Sequence, residues 1–240
     1  MKKIYLKIIE EGGISMGKFS VIIRSKNEEN WIGYCIQSII DHFENPEIVI
    51  IDNGSTDETI QIANSFKKSK MLKSQKNIRR YSDIKIYSLH NYTPGKSLNF
   101  GLKKCKNENI LIISAHCVIK KINVQSTLKN LTKYKAIFGN QTPIWKGKRI
   151  IKRYIWSHFI NKKVENMFSK LENRYFFHNA ASIFKKSTLK KMPFDEDLSG
   201  KEDRYWANRL VKSKFKYLYD PGFSVDHHYT SNGATWKGLA

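Results

Sequence analysis

Three places along the 240 residues gather side chains that can move protons or hold anions. Asp52-Asn53-Gly54-Ser55-Thr56-Asp57 follows an apolar run and sets a carboxylate where it can accept hydrogen bonds from a base or a ribose hydroxyl. Gly54 permits a tight turn there, and Ser55 or Thr56 can cap a following helix, so a plain strand-turn-helix connection explains the hexapeptide equally well. Glu202 and Asp203, in Gly200-Lys201-Glu202-Asp203-Arg204-Tyr205-Trp206, are adjacent carboxylates at a helix opening. The helix dipole stabilises them, and they suit general-base work or simple capping. Val225-Asp226-His227-His228-Tyr229 offers two histidines in a row. Successive side chains on a strand alternate, so at most one of them can face a given ion.

Other chemistries are absent. Pro94-Gly95-Lys96-Ser97 copies only the tail of a phosphate loop, because the glycine required five positions earlier is His90. No GxGxxG follows a strand, and there is no HExxH and no paired CxxC. A P-loop NTPase, a nicotinamide dehydrogenase and a zinc ribbon are disfavoured.

The elements that must position these groups are legible in the first half. Phe19–Arg24, Glu47–Ile51, Ile84–Ser88 and Ile110–Ile113 are β-branched runs that read as buried strands. Trp31–Phe43, Thr56–Phe66 and Lys96–Lys104 read as the helices between them. Strands alternating with helices imply right-handed parallel βαβ units covered on both faces. In such sheets ligands bind beyond the carboxyl ends of the strands, which selects the loops after Arg24, Ile51, Ser88 and Ile113. Past Tyr134 the pattern loosens. Ile144–Tyr175 mixes aromatic and basic residues and reads as helical in its middle, Phe176–Phe184 as a strand, Arg204–Ser213 as a helix and Phe215–Tyr219 as a last strand. The aromatic side chains of Ile144–Tyr175 suit core packing, sugar stacking or lipid contact. No repeat or Pro/Gly-rich linker interrupts the chain. The expectation is an N-terminal extension over 1–18 and a single domain over 19–240, with a nucleotide-binding half at about 19–120 and an acceptor and catalytic half at about 121–240.

The chain is strongly basic, with 43 Lys and Arg against 21 Asp and Glu and a formal net charge of +22. Aromatic residues at 12% are too plentiful for a disordered chain. Such charge fits phosphate counterion release, attraction to an anionic bilayer or a merely solvated surface. The densest run, Lys67–Arg80, reads as a surface loop or helix extension, or as a membrane or acceptor contact. Cys35, Cys105 and Cys117 form no disulfide scaffold, and no signal peptide or membrane-spanning run is present. The expected location is the cytoplasm, peripherally on the inner face of a membrane.

Taken in order, Phe19–Glu29, Asp52–Asp57, Pro94–Gly101, Ser114–Cys117, Phe176–Ser182, Phe194–Glu196, Gly200–Trp206 and His227 resemble the motif series of family 2, GT-A-type glycosyltransferases. The match runs from about residue 19 to 230. Each motif is weak alone; their order and spacing make the resemblance. It implies an α/β GT-A fold, a Rossmann-like open and mainly parallel sheet flanked by helices, with a smaller acceptor-side region. It also implies an inverting transfer of a sugar from a nucleotide-sugar donor, most often a UDP-sugar, to a hydroxyl of a glycan or lipid-linked acceptor in surface polysaccharide synthesis.

By position, the resemblance sets Arg24, Lys26, Glu28, Asp52, Lys96, Ser114 and His116 toward the nucleotide. Asp203, beside Glu202, matches the aspartate that deprotonates the acceptor, and His178, Asn179, Arg204 and Trp206 fall on the acceptor side. Two positions depart from the family pattern. Ser114-Ala115-His116-Cys117 stands where Asp-x-Asp is usual, and Lys26 replaces a tyrosine that stacks on uracil. His116 and His227 with the substrate diphosphate then imply a weak divalent-metal site, for Mn²⁺ rather than Mg²⁺. In the alternative, His116 hydrogen-bonds a phosphate and no metal is needed. Two further readings stand beside the transferase: a basic nucleic-acid-binding protein and a catalytically silent GT-A relative. No specific nucleic-acid partner is expected if the transferase reading holds.

Overall fold

The computed structural model describes residues 17–68, 83–152 and 154–236. The expected extension over 1–18 and the basic run Lys67–Arg80 therefore lie almost wholly outside the described residues. The Ile- and Val-rich runs form β1 (Phe19–Ser25), β2 (Glu47–Asp52), β3 (Ile84–Ser88) and β4 (Asn109–Ser114), which pair in parallel in the order β3-β2-β1-β4. Every residue of β2 and β4 is buried, as a sheet covered on both faces requires.

Helices α1 (Ile32–His42) and α2 (Thr59–Lys68) cover one face. Their Ile36, Ile39 and Ala63 join Val21, Ile23, Ile48 and Ile50 in one core. Helix α3 (Pro94–Lys104) covers the other, where Leu98 and Leu102 meet Ile22, Val49 and Ile51. Gly101 makes this close approach feasible: a Cβ there would stand 2.8 Å from Ile22.

The second half extends the same sheet with β5 (Cys117–Lys121), β6 (Ala136–Trp145) and, further on, β11 (Ala181–Lys185) and β12 (Tyr217–His228). The full path is β3-β2-β1-β4-β11-β6-β12-β5. Pairing is antiparallel for β11 with β4 and β6 and for β12 with β5, and parallel for β6 with β12. Helix α4 (Val124–Lys133) links β5 to β6, α5 (Lys186–Lys191) follows β11, and α6 (Glu202–Lys212) leads into β12.

Three expectations for this half are corrected. Among the described residues of Ile144–Tyr175 the helical part is a single short 3-10 turn. The segment is a hairpin of β6 with β7 (Lys148–Arg149), that turn at Tyr154–His158, and the short strands β8 (Val164–Glu165), β9 (Phe168–Ser169) and β10 (Arg174–Tyr175). Its apolar spacing comes from Trp156 and Phe159 entering the core one at a time. Phe176–Phe184 is a strand only from Ala181, because the backbone and side chain of Asn179 are bound by groups of the site described below. The last strand runs on from Tyr219 through His228, and it carries His227 into the interior. No helix among the described residues is long and apolar enough to cross a membrane.

Candidate active site

Strand β1 is followed in the sheet by β2 on one side and β4 on the other, so the chain order reverses direction at β1. A cavity of about 660 Å³ opens beyond the carboxyl ends of β1 and β4, where Arg24 and Ser114 pair across the strands. This is the crevice in which open α/β sheets bind ligands. The first turn of α6, the Asn179 turn before β11 and the segment 232–235 complete its wall.

Two of the recognised motifs are a clasp that sets this wall. Thr93 caps α3 and also donates its hydroxyl to the carbonyl of Glu196 at 2.6 Å. Asn99 exchanges hydrogen bonds with the backbone of Phe194 and donates to the Glu196 carboxylate. Gly95 packs so closely that a Cβ would stand 1.9 Å from the carbonyl of Asp195, inside any allowed contact. The chain then rises to Lys201, whose left-handed backbone (φ 59°) turns it sharply into α6.

Beyond that turn, both carboxylates face cations. Arg24 donates to Glu202 Oε1 at 3.0 Å and to Asn179 Oδ1 at 3.1 Å, while Asn179 Nδ2 donates to the same Glu202 oxygen. Arg204 Nη1 reaches both oxygens of Asp203 at 3.0 and 2.9 Å, and the Asn179 amide donates to Asp203 Oδ2 at 3.1 Å. The Arg204 guanidinium lies over the Phe176 ring, 4.6 Å from its centre. Burial pushes the Asp203 carboxyl up, but the Arg204 charge together with the hydrogen bonds from the Asn179 amide and Arg204 holds the group below the ordinary carboxylate value. His178 adds nothing to this at neutral pH, because burial first, and then Arg204, push it down to about 3 and leave it uncharged.

A second buried network crosses the wall. His116, in the turn between β4 and β5, has its Nδ1 2.8 Å from Glu28 Oε1. His227 has its Nδ1 2.8 Å from Gln141 Oε1, and Gln141 Nε2 is 3.0 Å from His178 Nδ1. Carboxylate and amide oxygens only accept, so both Nδ1 atoms carry hydrogen. The two Nε2 atoms therefore face each other at 3.1 Å, two lone pairs turned inward unless a proton or a cation lies between them. Burial, then His116, push His227 well below its ordinary value, so it is a neutral imidazole. Two imidazole nitrogens with their second nitrogens fixed by Glu28 and Gln141 suit part of a divalent-metal shell. No cluster of three or more ligating residues occurs among the described residues, so further ligands to such an ion must come from elsewhere. His228 points to the opposite face and stacks on Trp31 at 3.9 Å, as strand alternation requires.

Of the residues singled out from sequence, Arg24, Lys26, Glu28, Ser114, His116, His178, Asn179, Glu202, Asp203 and Arg204 all line the cavity. Four do not. Asp52 lies beneath it, accepting from Ser25 Oγ and from the amide and hydroxyl of Ser55. Lys96 sits on the first turn of α3, outside the lining. His227 is wholly enclosed behind His116. Trp206 belongs to the aromatic core with Phe177, Phe184 and Phe194, its indole N–H spent on the carbonyl of Met192, so its expected place toward the acceptor is corrected. Gln141, Tyr92 and the 232–235 segment were not read from sequence. Gln141 did leave a signal, a polar amide between the apolar residues that open and close β6.

An α/β sheet with its crevice at the β1–β4 reversal, rimmed by carboxylates and guanidiniums, defines the GT-A fold. Crystal structures of S. aureus TarS bear this out. TarS 1-349 in complex with UDP-GlcNAc superposes with a TM-score of 0.66 over 93% of this chain and 62% of that one, at 19% identity. The glycosyl transferase family 2 model matches residues 20–192, and the chain belongs to that family. Among its relatives, the minor teichoic acid biosynthesis protein GgaA of Bacillus subtilis is 25% identical over 83% of this chain and 44% of its own length. The GalNAc(5)-diNAcBac-PP-undecaprenol beta-1,3-glucosyltransferase of Campylobacter jejuni is 27% identical over 85% of this chain and 63% of its own length. The chain thus spans between two fifths and two thirds of the length of these relatives.

Proposed function

We infer that this protein transfers a sugar, with inversion, from a UDP-sugar to a hydroxyl of a glycan or lipid-linked acceptor in cell-surface polymer synthesis, with Asp203 as the general base. One observation carries the reading: Asp203 and Arg24 share the wall of a single cavity at the strand reversal. The family membership and the UDP-GlcNAc bound to the TarS structure support the donor class.

The chemistry follows from the groups at the wall. A diphosphate entering beside Arg24, Lys26 and Ser114 meets cations that offset the charge developing on the leaving group. Asp203, held ionised by Arg204, stands ready to accept a proton. The acceptor oxygen then forms its bond to the anomeric carbon, the bond from that carbon to the diphosphate oxygen breaks, and the acceptor proton passes to Asp203. Glu202 holds Arg24 in place, and Asn179 orients both carboxylates through its side chain and amide. His178 and Arg204 flank the acceptor. Asp52 serves base recognition through the Ser25 and Ser55 loops that it anchors, and Lys96 attracts the diphosphate from the mouth of α3.

His116 and His227 would hold a divalent cation, Mn²⁺ rather than Mg²⁺ by donor type, which when bound supplies further charge for the leaving diphosphate. Calorimetric titration of Mn²⁺ in the presence of UDP tests this; no heat above the nucleotide blank eliminates the ion. The place of work is the inner face of an anionic membrane. A thermal-shift panel of nucleotide sugars tests the donor class: UDP-sugars raise the melting temperature, whereas equal shifts with GDP- and CDP-sugars, or none, overturn it.

A further inference from the structure

Between Glu108 and Glu165 the sequence has no acidic residue, and residues 144–152 mix basic with apolar side chains. There the β6–β7 hairpin turns on Lys146 and Gly147, both with positive φ (47° and 74°), so Trp145 pairs with Lys148 across a two-residue turn. Lys146, Lys148 and Arg149 are exposed, and none of them meets a carboxylate among the described residues. Lys146 lies over the Trp145 ring at 4.8 Å. Trp145 is 46% exposed and Ile151 is 81% exposed.

Behind the turn is a second cavity of about 700 Å³, lined by Trp145, Arg149, Ile150, Ile151, Tyr229 and Trp236. Its lining is nearly all apolar, and the indole N–H of Trp236 is spent on the carbonyl of His228. The polar groups on this surface are few, chiefly Arg149 and the Tyr229 hydroxyl, and its aromatic and aliphatic side chains ringed by cations match the headgroup level of a bilayer. The segment 229–236 separates the two cavities, with Tyr229 and Trp236 on the apolar side and Asn232, Gly233 and Thr235 on the side of Asp203.

We propose that the β6–β7 hairpin, from Trp145 to Ile151, docks the protein on an anionic lipid bilayer, with Trp145 and Ile151 entering the interface and Lys146, Lys148 and Arg149 meeting lipid phosphates. The proposal rests on the membrane location inferred above and gives it a surface. It holds a lipid-linked acceptor one loop away from the catalytic cavity.

The test is sedimentation of the full chain with vesicles of phosphatidylcholine alone and with about 30% phosphatidylglycerol, at low and physiological salt. The protein is expected to bind the anionic vesicles at least tenfold more tightly than the neutral ones. Lys146→Glu with Lys148→Glu should lose at least tenfold of that binding, and Ile151→Ser with Trp145→Ser should lose several-fold even at low salt. All variants should keep wild-type UDP affinity by calorimetry, which separates a failed docking surface from a failed transferase site. Equal binding to both vesicle types, unaltered binding by the hairpin variants, or a hairpin-dependent shift of duplex DNA without vesicle binding would each overturn the proposal.

Discussion

The two acidic loops of this molecule differ less in sequence than in what they touch. The end of β2 and the first turn of α6 each carry a carboxylate, and both Asp52 and Asp203 are buried. Asp52 is satisfied by neutral donors, the hydroxyls of Ser25 and Ser55 and one amide. Asp203 and Glu202 take the guanidiniums of Arg204 and Arg24 in addition to the neutral N–H groups of Asn179. Neutral donors fix a loop and leave nothing for an arriving anion to displace. A carboxylate–guanidinium cluster on a cavity wall is a charge balance that a diphosphate can disturb, and this is what marks the second loop as the chemical one.

Removing a cation should break that difference most severely. Arg24→Ala leaves Glu202 buried beside a lost partner and is expected to destabilise the fold by about 3–5 kcal/mol in urea unfolding. A loss near zero would mean that Glu202 is not held as an ion pair. The pH dependence comes next. His178 is held neutral in the fold at about 3, whereas it titrates near 6.5 when unfolded, so the unfolded chain binds the extra proton between those values. Stability from this group is full above pH 6.5 and falls as the pH drops below it, by about 2 kcal/mol between pH 6.5 and 5. His178→Asn should flatten that slope, and an unchanged slope would place the acid sensitivity in other groups.

The clasp between α3 and the Phe194–Glu196 turn follows. Asn99→Ala strands two backbone groups of Phe194 and is expected to cost about 1.5 kcal/mol, with slower transfer because the α6 turn loosens. Asp52→Asn should have the smallest effect, about 1 kcal/mol, since it chiefly loses the Ser55 amide bond. If it matched the effect of Arg24→Ala, the contrast between the two loops would fail.

The same division explains what the sequence makes legible. Strands β1, β2 and β4 announce themselves because burial on both faces demands unbroken Ile and Val runs, and the helices between them carry matching apolar spacing. The second half hides its structure. Strand β6 is interrupted by Gly139, Asn140 and Gln141, and β12 by Pro221 and Gly222, so neither reads as a long strand. The polar residues that blur these strands include the site's own: Gln141 steadies His227, and Asn179 ends the expected strand in order to bind two carboxylates and an arginine. Trp206 shows the reverse error. A helix-borne aromatic one turn from the catalytic pair looks like a binding platform, but the helix face that it occupies is turned to the core.

The central claim is that the Asp203 carboxylate takes the acceptor proton in a pocket that grips the nucleotide by other groups. Its most direct measurement is turnover and UDP affinity of Asp203→Asn on one preparation. Transfer should fall by about 10²–10⁴-fold while UDP binds as in the wild type. Transfer within a few-fold of wild type, or loss of UDP binding together with transfer in a folded variant, would contradict it.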